Sequence, residues 1–384
     1  GFPPSEGCVP LSANRIPSLA RLRRRLLAWF DRHRRDLPWR RDRDPYRVWV
    51  SEVMLQQTTV AAVGPYFERF VAAFPTVTAL AAADEQDVLR LWEGLGYYRR
   101  ARHLHAAARR LVAEHGGTLP DDPAVWADLP GVGRYILGAV LSQAFDRRLP
   151  IVEANSLRVL CRLFGYAGDP RSGAGQKWLW ETARAVLPAK RVGDFNQALM
   201  ELGALVCTPT APKCESCPVA AACVARAQGL QGVIPPKPAR PAVTEVREVA
   251  VVVRRGPRVL LVRRPAERPA SGYPARWANM WEFPHGELEA GESYEAAAAR
   301  LLGPLTGLTA DLGPELLTVR HGVTRFRITL VCLEAEYRGG RFRSEFYSRG
   351  LWLRPAELAE YPVSTPQRRL ARAVAGAVRQ RRLF

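Results

Sequence analysis

The sequence predicts a multidomain chain: an all-α part over residues 19–228, followed by an α+β part over residues 246–384. Three observations carry this reading. The chain has 384 residues, 47% of them hydrophobic, which is enough for two or three buried cores. Apolar residues recur at helical spacing through the first part and alternate in the second. Between them, residues 229–245 hold Pro235, Pro236, Pro238 and Pro241, a density that suits an extended linker. Residues 1–18 form an N-terminal tail outside both parts.

The helical segments follow in order. Leu19 to Phe30 sets apolar residues among arginines at helical spacing. Val48 to Phe70, Val88 to Leu111, Tyr135 to Phe145, Ser156 to Phe164, Lys177 to Val186 and Phe195 to Val206 repeat the pattern. Gly64-Pro65, Gly116-Gly117, Leu129-Pro130-Gly131 and Gly168-Asp169-Pro170 mark breaks. After the linker, Val246 to Val253, Arg258 to Arg263, Leu316 to Arg320 and Arg325 to Glu334 read as strands. Alternation is clear in Phe326-Arg327-Ile328-Thr329-Leu330. Ser293 to Leu302 and Pro366 to Arg382 read as helices.

Charge narrows the partner. The formal net charge is +19, from 56 Lys plus Arg against 37 Asp plus Glu. Any one arginine reads as a solvated face, but both parts of the chain are basic. That favours a polyanion, nucleic acid first and an anionic membrane surface second. No apolar run approaches the ~20 residues that a membrane helix needs. No secretory signal is read near the N-terminus, so a cytoplasmic location, nucleoid-associated if bacterial, is expected, and separately a monomer.

Four of the seven cysteines cluster as Cys207-x6-Cys214-x2-Cys217-x5-Cys223. In a chain read as intracellular, such spacing means metal before disulfide. Four thiolates suit zinc or a 4Fe-4S cluster. Zinc ribbons usually show two short pairs, whereas this run has one, so the iron–sulfur cluster is favoured. Cys161 and Cys332 read as core residues and Cys8 as a tail thiol.

Leu129-Pro130-Gly131-Val132-Gly133-Arg134 lies between two helical segments. Gly131, Val132 and Gly133 would bring backbone amides to an anion at a helix N-terminus. By itself the string is equally an ordinary helix turn. Followed by the cysteine run, it becomes specific.

The hairpin and cysteine run together resemble the endonuclease III superfamily of helix-hairpin-helix DNA glycosylases. Within it, the chain is similar to the MutY-type adenine glycosylases. The strings that carry this are Leu37-Pro38-Trp39-Arg40, Trp49-Val50-Ser51-Glu52-Val53-Met54-Leu55-Gln56-Gln57-Thr58, Leu91-Trp92-Glu93-Gly94-Leu95-Gly96-Tyr97-Tyr98 and Phe195-Asn196-Gln197-Ala198-Leu199-Met200. The resemblance implies a 4Fe-4S cluster on the four cysteines. It also implies double-stranded DNA with adenine opposite 8-oxoguanine or guanine as substrate. Such an enzyme flips the base out and cleaves its glycosidic bond with two carboxyl groups.

Glu52 matches the acid that protonates the leaving base. An exposed helix glutamate is the plainer reading, but Val50, Val53, Met54 and Leu55 around it are apolar. Desolvation would raise its pKa, as an acid requires. The family pattern Asp-Gly-Asn is replaced by Glu153-Ala154-Asn155. Glu153 is read as the second carboxylate, or as the cap of the next helix. Tyr135 stands where lyases of the superfamily carry a catalytic lysine, and a phenol forms no Schiff base. The resemblance therefore implies monofunctional hydrolysis, with Tyr135 lining the pocket. It places Trp39, Arg40 and Gln197 around the extruded adenine. Leu55, Gln57 and Tyr97 would act as wedges in the duplex, and Gln56 and Leu95 count among the DNA-binding positions.

In the second part, Gly286-x5-Glu292-x7-Arg300 falls on the spacing of a Nudix box. The glutamates that complete that box and hold its cation are replaced in Leu301-Leu302-Gly303-Pro304-Leu305-Thr306-Gly307-Leu308, so nucleotide hydrolysis is not expected. Trp281-Glu282-Phe283-Pro284 resembles the Nudix-like domain with which MutY proteins inspect the lesion. Their Phe-Ser-His string aligns with Val323-Thr324-Arg325, which keeps one hydroxyl, on Thr324. Two further readings stay open: an endonuclease III-like glycosylase/lyase, and an iron–sulfur protein that binds lesions without catalysis.

Overall fold

The structure, a computed structural model, describes residues 19–238, 242–266 and 277–381, and side chains only to residue 376 near the C-terminus. The expected tail, with Cys8, lies outside the described residues, as do Pro241 and Arg382. The chain divides into two compact units, Gly1–Val71 with Arg110–Ala239 and Ala72–Arg109 with Arg240–Phe384. The units therefore do not follow a single cut at the linker.

The helices, in chain order, are α1 (Leu19–His33), α2 (Pro45–Leu55), α3 (Val60–Ala73), α4 (Val77–Ala82), α5 (Glu85–Trp92), α6 (Arg99–His115), α7 (Pro123–Asp128), α8 (Arg134–Phe145), α9 (Ala154–Phe164), α10 (Gly173–Val186), α11 (Val192–Leu205) and α12 (Val224–Ala227). Two of these boundaries correct the sequence reading. The run expected from Val48 to Phe70 is interrupted at 56–59, and that from Val88 to Leu111 at 93–98. At both breaks a non-glycine residue takes a left-handed backbone: Gln57 (φ 59°) and Tyr97 (φ 50°). Conversely, Gly64-Pro65 lies inside α3 and does not break it.

In the first unit, α1 buries Leu22, Leu26, Trp29 and Phe30 along one stripe. That stripe meets Val159, Leu163, Leu179, Phe195, Leu199 and Leu202 in one cluster. Each such side chain contributes roughly 1.5–3 kcal/mol of burial. The start of the linker is anchored to this unit. Ile234 is buried against Cys161 and Ala225, and its carbonyl accepts from Arg162 Nε at 2.8 Å.

Among the described residues of the second unit, seven strands form one mixed sheet. They are β1 (Thr244–Arg255), β2 (Arg258–Arg263), β3 (Trp281–Glu282), β4 (His285–Glu287), β5 (Leu308–Val323), β6 (Phe326–Gly340) and β7 (Arg349–Leu353). The main order is β3-β2-β1-β6-β5, with β4 on β1 and β7 on β2. β1 runs parallel to β6, pairing Val246 with Ile328 and Val252 with Glu334. α13 (Tyr294–Thr306) and α14 (Thr365–Arg381) complete the unit. Because side chains alternate along a strand, Val249, Val251 and Val253 join α13 residues in one cluster. Ala250 and Val252 join Leu370 and Val374 of α14 in another. The strands expected at 316–320 and 325–334 extend further, because bulges near Gly313-Pro314 obscure the alternation.

The early residues of this unit are tied to the late ones. Arg368 forks onto Glu93 at 2.6 and 2.7 Å, and Trp281 Nε1 donates to Gln86 Oε1 at 2.8 Å. Arg264 Nε and Tyr347 Oη both donate to the buried Glu282, each at 2.8 Å.

Candidate active site

α2 starts at Asp44, whose carboxylate accepts from the Tyr46 and Arg47 amides, with Pro45 in the first turn. It buries residues on every side, and Glu52 is among them at 3% exposed. A carboxyl cannot sit there without partners. Gln143 Nε2 donates to Glu52 Oε1 at 2.7 Å, and the Tyr135 hydroxyl bonds to Oε2. Both partners come from α8, eight residues apart on one face. Burial pushes the Glu52 carboxyl above its ordinary value, against the pull of Tyr135, Gln143 and Arg40, while Glu153 adds to the rise. Burial and the neighbouring Glu52 hold the Tyr135 phenol well above its usual range, so it keeps its proton.

Glu153 stands at the N-cap of α9, so the capping geometry foreseen for it is realised. Its Oε1 accepts from the Ser156 amide at 2.7 Å. Its Oε2 accepts from Asn155 N at 2.8 Å and Asn155 Nδ2 at 3.1 Å. Burial raises this carboxyl, and the two backbone donors draw it back. Asn155 is held in turn by Arg158, which donates to its Oδ1 at 2.8 Å.

Trp39 is buried and stands edge-on to Phe67. Beside it, Arg40 donates to Glu201 Oε2 at 3.0 Å. Arg35 grips the same carboxylate through its Nε, its NH2 and its own backbone amide, at 2.8, 2.7 and 3.0 Å. Glu201 and Gln197 lie one turn apart on α11. The structure thus gathers Arg40, Glu52, Tyr135, Glu153 and Asn155 into one electrostatic group in the first unit, held by contacts within it. Sequence reasoning missed Gln143, Arg35 and Glu201. The signal was available, since Gln143 and Glu201 are polar residues inside apolar helical runs, as Glu52 is.

The remaining expected positions lie as follows. Leu55 ends α2, Gln56 caps it and Gln57 follows, exposed in its left-handed conformation. Leu95 and Tyr97 belong to the second unit; Leu95 is buried and Tyr97 is 51% exposed. Thr324 tips the two-residue turn between β5 and β6 with φ 53°, its hydroxyl donating to the Val323 carbonyl.

Gly131 (φ 76°) turns the chain between α7 and α8, where an L side chain is strained. Val132 is tucked inward, and Gly133 caps α8 with no side chain on its first amides. Those amides remain open to an anion. Arg134 lies 3.9 Å over the Trp180 ring.

The four clustered cysteines leave the end of α11 and line one loop. Arg162 NH1 donates to Cys207 Sγ, and Cys223 Sγ donates to the Arg162 carbonyl, both at 3.4 Å. Cys217 feels the charges of Cys207, Cys223 and Cys214 together. Among the described residues, no three His, Cys, Asp or Glu side chains converge on a position for one metal ion. All four thiols are partly buried and three of them act electrostatically on Cys217, a soft donor set of the kind a 4Fe-4S cluster uses.

Comparison with known proteins agrees with this architecture. Residues 50–184 match the model of the HhH-GPD superfamily of base excision DNA repair proteins, and residues 248–373 match that of the NUDIX domain. The adenine DNA glycosylase of Rattus norvegicus is 36% identical over 93% of this chain and 78% of its own length. The chain belongs to the adenine DNA glycosylase family. That of Buchnera aphidicola subsp. Schizaphis graminum is 34% identical over 68% of this chain and 73% of its own. Among solved structures, a thermostable thymine-DNA glycosylase is 31% identical, with a TM-score of 0.51. It covers 55% of this chain and 97% of its own. In this adenine DNA glycosylase family member, the Nudix-type box keeps its ion pair: Arg300 forks onto Glu292 at 2.8 and 2.7 Å. Gly286 lies where a Cβ would meet Leu301 at 2.9 Å.

Proposed function

We propose that this chain removes adenine paired with 8-oxoguanine or guanine in duplex DNA, by hydrolysing the N-glycosidic bond in base excision repair. The observation that carries the reading is the buried Glu52 carboxyl, raised by desolvation and hydrogen-bonded by Tyr135. A carboxyl raised in this way holds its proton more readily and can deliver it to the leaving base. Glu153, fixed by donors on both oxygens, supplies the negative charge that steadies an oxocarbenium-like sugar. Tyr135 in place of an amine supports simple hydrolysis over a lyase step.

The Gly131–Gly133 turn and the basic surface would hold backbone phosphates. Trp39, Arg40 and Gln197 would border the flipped adenine. Leu55, Gln57 and Tyr97 would fill the stack, Gln56 and Leu95 would lie along the DNA-binding face, and Thr324 would approach the oxidised base. Cys207, Cys214, Cys217 and Cys223 would hold a 4Fe-4S cluster. That cluster, when bound, would order the loop they share, and hydrolysis itself needs no redox step.

The test is single-turnover adenine release from duplexes with adenine opposite 8-oxoguanine, guanine or thymine. Release is expected opposite the first two. Glu52→Gln is expected to abolish release while duplex binding persists. Release by Glu52→Gln at the parent rate would overturn the acid assignment. Tight binding by the parent without release would favour the lesion-binding alternative.

A further inference from the structure

We infer that Gln143 is a positioning residue that confines the acidic proton of Glu52 to a single oxygen, Oε2. This rests on the reading of Glu52 as the acid. An amide NH2 only donates hydrogen bonds, whereas a phenol both donates and accepts. Gln143 Nε2 donates to Oε1 at 2.7 Å, and a carbonyl oxygen accepts far better than a carboxyl hydroxyl, so this donor favours the proton on the other oxygen. The proton of the neutral acid is left to Oε2, the oxygen that Tyr135 contacts.

The pair of partners then suits both states of the reaction. Before transfer, the Oε2 proton is shared with the Tyr135 oxygen, on a carboxyl that Gln143 keeps from rotating. After transfer, Tyr135 reverses its role and donates to Oε2, while Gln143 still donates to Oε1. The anion produced is held without movement of either side chain, which spares reorganisation at the step itself. Without Gln143 the proton divides between two oxygens, and half of the acid points the wrong way. Gln143 itself is 7% exposed in a run of Val140, Leu141 and Ser142, where an amide is costly to bury without this partner.

Other charged or titratable groups act on Glu52: Tyr135 from α8, Arg40 from the Pro38–Arg40 turn, and Glu153 at the start of α9. None of them changes in the variants that test the inference. Gln143→Met keeps the volume and removes the donor. Gln143→Glu replaces the donor with a second acid that must share a proton.

The experiment measures single-turnover adenine release against pH for the full chain and both variants, with duplex affinity in parallel. Alongside, the carboxyl infrared band that disappears in Glu52→Gln is titrated directly, a readout that needs no activity. Removing a donor to the anion is expected to move the alkaline limb up by about one pH unit in Gln143→Met. The limb should move further in Gln143→Glu. The rate at neutral pH is expected to fall about tenfold, with affinity unchanged.

An unshifted limb and an unshifted Glu52 band in Gln143→Met would overturn the inference. A parent chain that releases no adenine would count against the proposed function. The infrared titration would still decide the role of Gln143.

Discussion

Glu201 offers a sharp test of how the first unit is held together. It is 1% exposed, and its carboxylate receives four hydrogen bonds, three from Arg35 and one from Arg40. Burial alone would raise its pKa, but the Arg35 and Arg40 donors outweigh it and bring it to about 2, from an ordinary 4.5. At 1.36 kcal/mol per pKa unit, that difference is worth about 3 kcal/mol. The sign follows from the depression. The stabilisation is complete above the unfolded-state pKa, shrinks as the pH falls below it, and is gone below the folded-state value. At pH 3 roughly half remains.

Glu201→Gln imitates the protonated acid at nearly constant volume. Denaturant unfolding of the full chain, followed through helical signal, should show a loss of about 3 kcal/mol at pH 7. The gap from the parent should close to about 1.5 kcal/mol at pH 3. A gap below about 1 kcal/mol at pH 7 would refute the account. So would a gap that does not narrow with acid. The consequence reaches the site, because Glu201 also orients Arg40, whose charge acts on Glu52.

Three other outcomes follow from the same geometry. Gly203→Ala would set a Cβ 2.6 Å from Asn155 Cβ and 2.9 Å from its carbonyl oxygen. Overpacking there should cost about 1–3 kcal/mol in a melting experiment and slow adenine release by displacing Asn155 from Glu153. Glu153→Ala removes the cap and the charge together, so it should cost about 1 kcal/mol of stability in a thermal melt and abolish adenine release. Retained stability in that variant would mean that the cap contributes nothing. Arg264→Met leaves Glu282 buried without its cation, which should destabilise the second unit by about 3–5 kcal/mol in a thermal melt.

Much of this was legible in the sequence where local chemistry decides it. α8, α9 and α11 fall on their apolar periodicity. The alternation of Phe326–Leu330 gives one strand, and the Cys207–Cys223 spacing gives the thiol loop. What escaped was set by tertiary context. No glycine or proline marks the break at 56–59, because Gln57 adopts a left-handed backbone that side-chain identity does not announce. At 93–98 the signal was present in Gly94 and Gly96 and was overrun by the apolar pattern. Ala72–Arg109 pack with the sheet through Gln86, Glu93 and Arg102, pairings some 164–275 residues apart that no local pattern encodes. Gln143 and Glu201 were visible only as polar residues in apolar runs. Their partners, Glu52 and Arg35, lie 91 and 166 residues away.

The two carboxyls of the site are both glutamates, Glu52 buried and Glu153 half-buried, and burial raises both, so residue type and burial do not distinguish their roles. Their donors do. Glu153 faces two backbone amides and a side-chain amide, none of which can accept a proton. Three donors on its two oxygens favour the anion over the neutral acid. Glu52 faces one such donor and one phenol, and the phenol can reverse direction. One carboxyl is therefore built to remain an anion and the other to hold and release a proton at a single oxygen. Glu153 caps α9 as Asp44 caps α2, so its charge also sits at a helix N-terminus that favours it.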